Sequence, residues 1–191
     1  MTLLQVMSDD DADEVRLRTD DATTIRDELA TRGIAFARSS VAADLDLNQP
    51  AERILARHAD QIAAINADGR YQHIDVAALH PDPDDPDWRA NAAVARSKFL
   101  DEHRHAEDEV RFFVAGRACF YLHLEPEVLA VVCETGDLLT VPAGTRHWFD
   151  MGSEPDFAAI RFFEGVDGWI GDFTGDTIGQ RFPTLDQLAA T

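Results

Sequence analysis

The sequence predicts a mainly β fold with flanking helices, an α+β chain whose strands close into a barrel or jelly roll around an interior site. Three observations carry this. After Leu100 the chain becomes a succession of short apolar runs: Glu109 to Val114, Ala118 to Leu124, Val128 to Cys133, Leu138 to Val141, His147 to Asp150 and Phe157 to Phe163. Glycine, proline or acidic pairs separate them, the spacing expected of a sandwich or barrel. Apart from a final turn near Thr184 to Ala190, helical periodicity is confined to the residues ahead of that region, so helices are expected on its outside.

The 191 residues suit one domain: strands and flanking helices over 1–100, core barrel strands over 101–165, and a C-terminal tail over 166–191. The formal charge is −19 and Lys98 is the only lysine, so an extended basic face for nucleic acid or an anionic membrane is lacking. No apolar run has the length of a spanning helix or follows a basic start as a signal peptide would. Cys119 and Cys133, both in apolar runs, are expected to be buried free thiols, which suits a reducing compartment, most simply the cytoplasm. A monomer is expected.

Taken in order, Thr2 to Val6 reads as a first strand and Ser8 to Glu14 as an acidic linker. Ile25 and Leu29 lie four apart between a polar start and Gly33, which predicts a short capped helix over Thr23 to Arg32. Ile34 and Phe36 begin a strand. Pro50 suits a first helical position, Ile54, Leu55, Ile62 and Ile65 form a stripe, and Asp68-Gly69 ends one helix. His58, at the edge of that stripe, reads as a surface or packing histidine. Tyr71 to Ala77 is a strand, Pro81, Pro83 and Pro86 make a rigid loop, and Asn91 to Lys98 is an alanine-rich helix. The tail from Glu164 is rich in glycine and aspartate and reads as mostly irregular.

The chemistry concentrates between His103 and Gly116, HRHAEDEVRFFVAG. His103 and His105 are two apart, so in an extended chain both rings leave one face and can meet on one ion. A tight turn over Ala106 to Asp108 brings Glu109 round as a third ligand. Imidazole with carboxylate suits iron, nickel, copper, manganese or zinc, whereas thiolates would indicate structural zinc or an iron and sulfur cluster. Redox or Lewis-acid chemistry is therefore expected. A second stretch, GDLLTVPAGTRHWFD, supplies His147 as a fourth ligand, delivered by the Pro142-Ala143-Gly144 turn.

Strand parity then decides what shares the cavity. Glu109, Arg111 and Phe113 face one way and Val110, Phe112 and Val114 the other, so Arg111 looks in beside Glu109. A buried arginine without a partner is costly; Arg111 either awaits an anion or pairs with a carboxylate. Counting from His147 places Phe149 inside and Trp148 outside. Glu102, Glu107 and Asp108 flank the ligands and are candidates to orient the imidazoles from behind or to accept a substrate proton, with Glu107 the one expected to be a solvated turn residue.

The spacing His-x-His, three residues, Glu, six residues, Gly, followed by Gly, five residues, Pro-x-Gly, two residues, His, resembles the two-part signature of the cupin superfamily. It falls on His103, His105, Glu109 and Gly116, then on Gly136, Pro142, Gly144 and His147. Where general cupins often carry asparagine four residues after the last histidine, this chain has Met151. The fuller wording, EHRHAEDEVRFFVAG with PAGTRHWFDMG, is similar to one branch, the acireductone dioxygenases of methionine salvage. The resemblance implies a cupin-type barrel and one octahedral Fe2+ or Ni2+ ion on His103, His105, Glu109 and His147, with two positions open to substrate. It implies Arg111 against the negative charge of an acireductone, and Phe99, Phe149 and Trp169 as pocket walls. Arg161, expected near the barrel's far end with Trp169, is a further candidate behind the ligands. The implied reaction cleaves the acireductone with O2 to formate and 4-methylthio-2-oxobutanoate in the iron form, or to methylthiopropionate, formate and carbon monoxide in the nickel form.

Two other classes would use the same ligands. A cupin sugar isomerase or epimerase would need no oxygen. A non-catalytic metal-dependent sensor would often bring a DNA-binding domain, against which the acidic balance and the missing helix-turn-helix count.

Overall fold

The computed structural model describes residues 1–41 and 45–190; Ala42, Ala43 and Asp44 lie outside the described residues, as does Thr191, the last residue of the expected tail. The chain runs β1 (Leu3–Ser8), β2 (Val15–Thr19), α1 (Ala22–Thr31), β3 (Ala35–Arg38), α2 (Ala51–Arg57), α3 (Ala59–Ile65), β4 (His73–Leu79) and α4 (Trp88–Ser97). It continues with β5 (His103–Arg104), β6 (Glu109–Leu124), β7 (Glu127–Glu134), β8 (Asp137–Val141), β9 (Arg146–Asp150), β10 (Phe157–Phe163), β11 (Asp172–Phe173), a 3-10 turn over Ile178–Arg181 and α5 (Leu185–Ala189).

One strand organises the barrel. The first half of β6 pairs antiparallel with β8 and β10, and its second half with β7 and β9, so a single 16-residue strand passes from one sheet into the other. One sheet runs β11-β5-β9-β6-β7-β1-β2, and the other adds β4 through β10 and β3 through β8. The passage occurs at Gly116, where φ is +61° and an added Cβ would fall 1.8 Å from the carbonyl oxygen of Asp156. Only glycine fits that approach. The two strands expected at Glu109 to Val114 and Ala118 to Leu124 are thus one hinged strand, because a barrel corner needs a bend rather than a break.

Three apolar layers follow from alternation along the strands. Between the sheets lie Phe113, Phe120, Leu122, Leu129 and Val131, capped by Ile25 and Leu29 of α1. Outside the sheet that holds β4, β10, β8 and the first half of β6 pack Val110, Phe112, Ile160 and Phe162, covered by Ile54 of α2 and Ile62 and Ile65 of α3. Outside the sheet that holds β7, β9 and the second half of β6 lie Tyr121, Trp148 and Val132, covered by Ile178, Phe182, Leu185 and Leu188 of the tail. The tail is therefore more than irregular. Its last helix is fastened by a capping box of Thr184 and Gln187, and Trp148, although outside the barrel interior, is buried beneath it.

One further expectation is corrected, and one stretch left unassigned by the sequence becomes a strand. The helix expected from Pro50 to Asp68 breaks at His58, whose Nδ1 lies 2.8 Å from the carbonyl oxygen of Ile54 and whose buried ring meets Phe112 edge-on. The region after the acidic linker is strand β2, an exposed edge whose VRLRT sequence carries two arginines and little apolar signal. Among the described residues, no helix is long and apolar enough to cross a membrane.

Candidate metal centre and active site

His103 of β5 and His147 of β9 are direct cross-strand partners, His105 follows β5, and Glu109 opens β6. The two motifs are tied by their turns: Gly144 N–H donates to the carbonyl of His105 at 2.9 Å, and Ala143 N–H donates to Asp108 Oδ1 at 2.9 Å.

Each imidazole is oriented through Nδ1. His103 donates to the carbonyl of Asp101 at 2.8 Å, His105 to that of Ile170 at 2.9 Å and His147 to that of Thr145 at 2.8 Å. A carbonyl only accepts, so Nδ1 carries the proton and each Nε2 keeps a bare lone pair. One ligand atom from each of the three rings lies within 4.8 Å of the other two. Glu109 Oε2 sits 2.8 Å from His147 Nε2 and 3.6 Å from His105 Nε2. Yet Glu109 Oε2 and His147 Nε2 are both buried and without a hydrogen-bond partner among the described residues. Two buried lone-pair atoms facing each other at that distance repel unless a cation lies between them, and three imidazoles with a carboxylate fit a divalent ion.

The electrostatics prepare these groups to ligate. Burial draws His103 down to about 4, with His147 adding to the shift, and burial also lowers His105. Both rings are neutral at pH 7. Burial opposes the charge on Glu109, but the Arg111 guanidinium outweighs it and holds this carboxyl well below the usual range. Arg111 Nη2 bonds Glu109 Oε1, while its Nη1 is buried with no partner among the described residues. Of the sequence alternatives for Arg111, the structure shows the carboxylate pair through one arm, and the other arm is left over.

Arg111, Phe99, Phe149, Trp169 and Arg161 line the cavity beside His103, His105 and Glu109. Phe99 and Trp169 are 38% and 56% exposed, so they form its rim rather than its floor. Arg161 is the cross-strand neighbour of Arg111 and of Asp75, and it grips Asp75 through Nε at 2.7 Å and Nη2 at 2.5 Å. Sequence reasoning missed Ala77, Met151, Phe157 and Ala159 on the cavity wall. Phe113 was readable from its parity with Glu109; the alanines carry no chemical signal.

The flanking carboxylates are placed elsewhere than expected. The imidazole Nδ1 atoms go to main-chain carbonyls, so neither Glu102 nor Asp108 orients a ring directly. Glu102 is buried against His123 and Thr174, and Asp108 holds Ala143 N–H and Arg70. Glu107, expected to be a solvated turn residue, accepts the N–H groups of Glu164 and Gly165.

With this geometry in place, comparison with known proteins is direct. Residues 4–171 match the model of the ARD/ARD′ family. The chain is 65% identical to acireductone dioxygenase 2 of Nocardia farcinica over 98% of both chains. It is 48% identical to the acireductone dioxygenase of Frankia alni, over 99% of this chain and 91% of the relative. Among solved structures it resembles the acireductone dioxygenase of Bacillus anthracis with a cadmium ion in its active centre: TM-score 0.75, 25% identity, 91% of this chain and 98% of that one. The chain belongs to the ARD/ARD′ family, the acireductone dioxygenases of the cupin superfamily.

Proposed function

We propose that the chain is a metal-dependent acireductone dioxygenase of methionine salvage, acting on 1,2-dihydroxy-3-oxo-5-(methylthio)pentene and O2. The observation that carries this reading is the buried, unpaired facing of Glu109 Oε2 and His147 Nε2 beside His103 and His105, at one wall of a cavity that also holds a spare arginine donor. His103, His105, Glu109 and His147 hold the ion, Fe2+ or Ni2+. When bound, that ion supplies the Lewis-acid charge that steadies an enediolate.

The chain's own residues do the rest. Arg111 keeps Glu109 ionised through Nη2 and offers Nη1 to an anionic substrate oxygen, a bond made only when substrate arrives. Arg161, neutralised by Asp75, adds a polar edge without adding net charge. Phe149 beside the ligands, with Phe99 and Trp169 at the rim, seats the methylthio tail and keeps water from the reacting carbons. The ligands and walls come from one chain, which suits a monomer working as one domain, and two buried free thiols suit a reducing, cytoplasmic setting.

The test is oxygen uptake with synthetic acireductone, paired with metal analysis of the purified protein. Uptake with formate and 4-methylthio-2-oxobutanoate is expected of the iron form; carbon monoxide with formate and methylthiopropionate is expected of the nickel form. A metal-loaded protein that consumes no oxygen with this substrate would refute the reading.

A further inference from the structure

Two carboxylates beside the ligands reach away from them, to opposite ends of one segment. Glu107 Oε2 accepts the N–H of Glu164 at 2.8 Å and Oε1 that of Gly165 at 3.0 Å. A Cβ on Gly165 or Gly168 would stand 2.8 or 2.4 Å from this carboxylate, so a side chain at either position would push Glu107 out of its present place. At the other end, Glu102 is buried. Its Oε1 accepts from His123 Nδ1 at 2.5 Å, its Oε2 from Thr174 Oγ1 at 2.7 Å, and its carbonyl from Thr174 N–H at 3.0 Å.

Between these anchors the segment touches both members of the His-x-His pair. Ile170 supplies the carbonyl for His105 Nδ1, and Phe173 is the cross-strand partner of His103, with rings 5.3 Å apart. Gly171 lies so close that a Cβ would meet the His103 ring at 3.2 Å. Hydrophobic burial does not hold the segment, because Val166, Trp169, Ile170 and Phe173 are each more than half exposed. Its polar anchors do.

We propose that Glu102 and Glu107 are positioning residues: they pin residues 164–174 at both ends and thereby fix the carbonyl that sets the His105 ring. This deepens the reading of the site as a divalent metal centre and rests on it. The imidazole turns about one bond unless its Nδ1 acceptor is fixed, and ligands loosely held by their outer partners bind metal more weakly.

The test uses the full chain stripped of metal, with Glu107→Gln, which removes one of the two acceptors, and Thr174→Val, which removes the hydroxyl bonded to Glu102 at an exposed position. Ni2+ affinity is measured by chelator competition and ligand geometry by the visible absorption of the Co2+ form. Each variant is expected to bind Ni2+ roughly tenfold more weakly, at the low end of outer-partner effects, with shifted Co2+ bands, and Thr174→Ser is expected to restore both. Wild-type affinity and unchanged bands in both variants would overturn the proposal. Failure of the unaltered chain to take up one Ni2+ would instead sink the metal centre, and the proposal with it.

Discussion

The two halves of β6 use the same alternation for opposite ends. In the first half the inward residues are Glu109, Arg111 and Phe113; beyond the Gly116 hinge they are Ala118, Phe120 and Leu122. Inward positions change from odd to even across the bend. The first set includes buried polar atoms without partners among the described residues, on Glu109 and Arg111; the second is apolar and packed. One end of the barrel interior holds unsatisfied binding capacity and the other supplies much of the stability that offsets it. Function and stability should therefore separate along a single strand.

Three variants or conditions probe that separation. The largest effect is expected from His105→Ala, which removes a ligand without opening the apolar layer: bound metal and turnover should be lost while the metal-free unfolding midpoint barely moves. Elemental analysis and urea denaturation measure the two, and stoichiometric tight metal in the variant would remove His105 from the ligand set. Next, Phe120→Ala empties a fully buried site and should cost about 3–5 kcal/mol in urea unfolding, with metal stoichiometry retained in the folded fraction. Loss of the site at concentrations where the barrel is still folded would show that the two halves are coupled.

The smallest effect is the acid response of the metal-free protein. Burial holds folded His103 near 4, against about 6.5 for an unfolded histidine, so between these values the unfolded chain binds more protons. Stability is then full above about pH 6.5 and falls as pH drops toward about 4, by on the order of 2–3 kcal/mol. His103→Asn should flatten that part of the profile; an unaltered slope in the variant would assign the acid response to other groups.

Much of the site was legible because metal binding constrains local spacing. The single residue between His103 and His105 puts both rings on one face, and the Pro-x-Gly turn needs no long-range knowledge to aim His147. Parity likewise gave Arg111 and Phe113. What holds the rings was not legible, because the acceptors on Asp101, Thr145 and Ile170 are main-chain carbonyls, which every residue has. Long-range partners were also hidden: nothing near Glu102 in the sequence indicates His123 or Thr174. In the fold, the β6 bend was missed because Gly116 looks like any strand break until Asp156 is placed against it. The helix break at His58 was missed because the apolar stripe continues through it.

The burial of Trp148 has a consequence for watching this molecule in solution. Its indole stacks on Tyr121, with centroids 5.0 Å apart and planes 4° from parallel, and Phe182 of the tail closes over it. Trp169 stands at the cavity rim, mostly in water. With the third indole removed by Trp88→Phe, these two give the protein two optical gauges: blue-shifted emission from Trp148 reports whether the tail is docked behind His147, and red-shifted, quencher-accessible emission from Trp169 reports what enters the cavity.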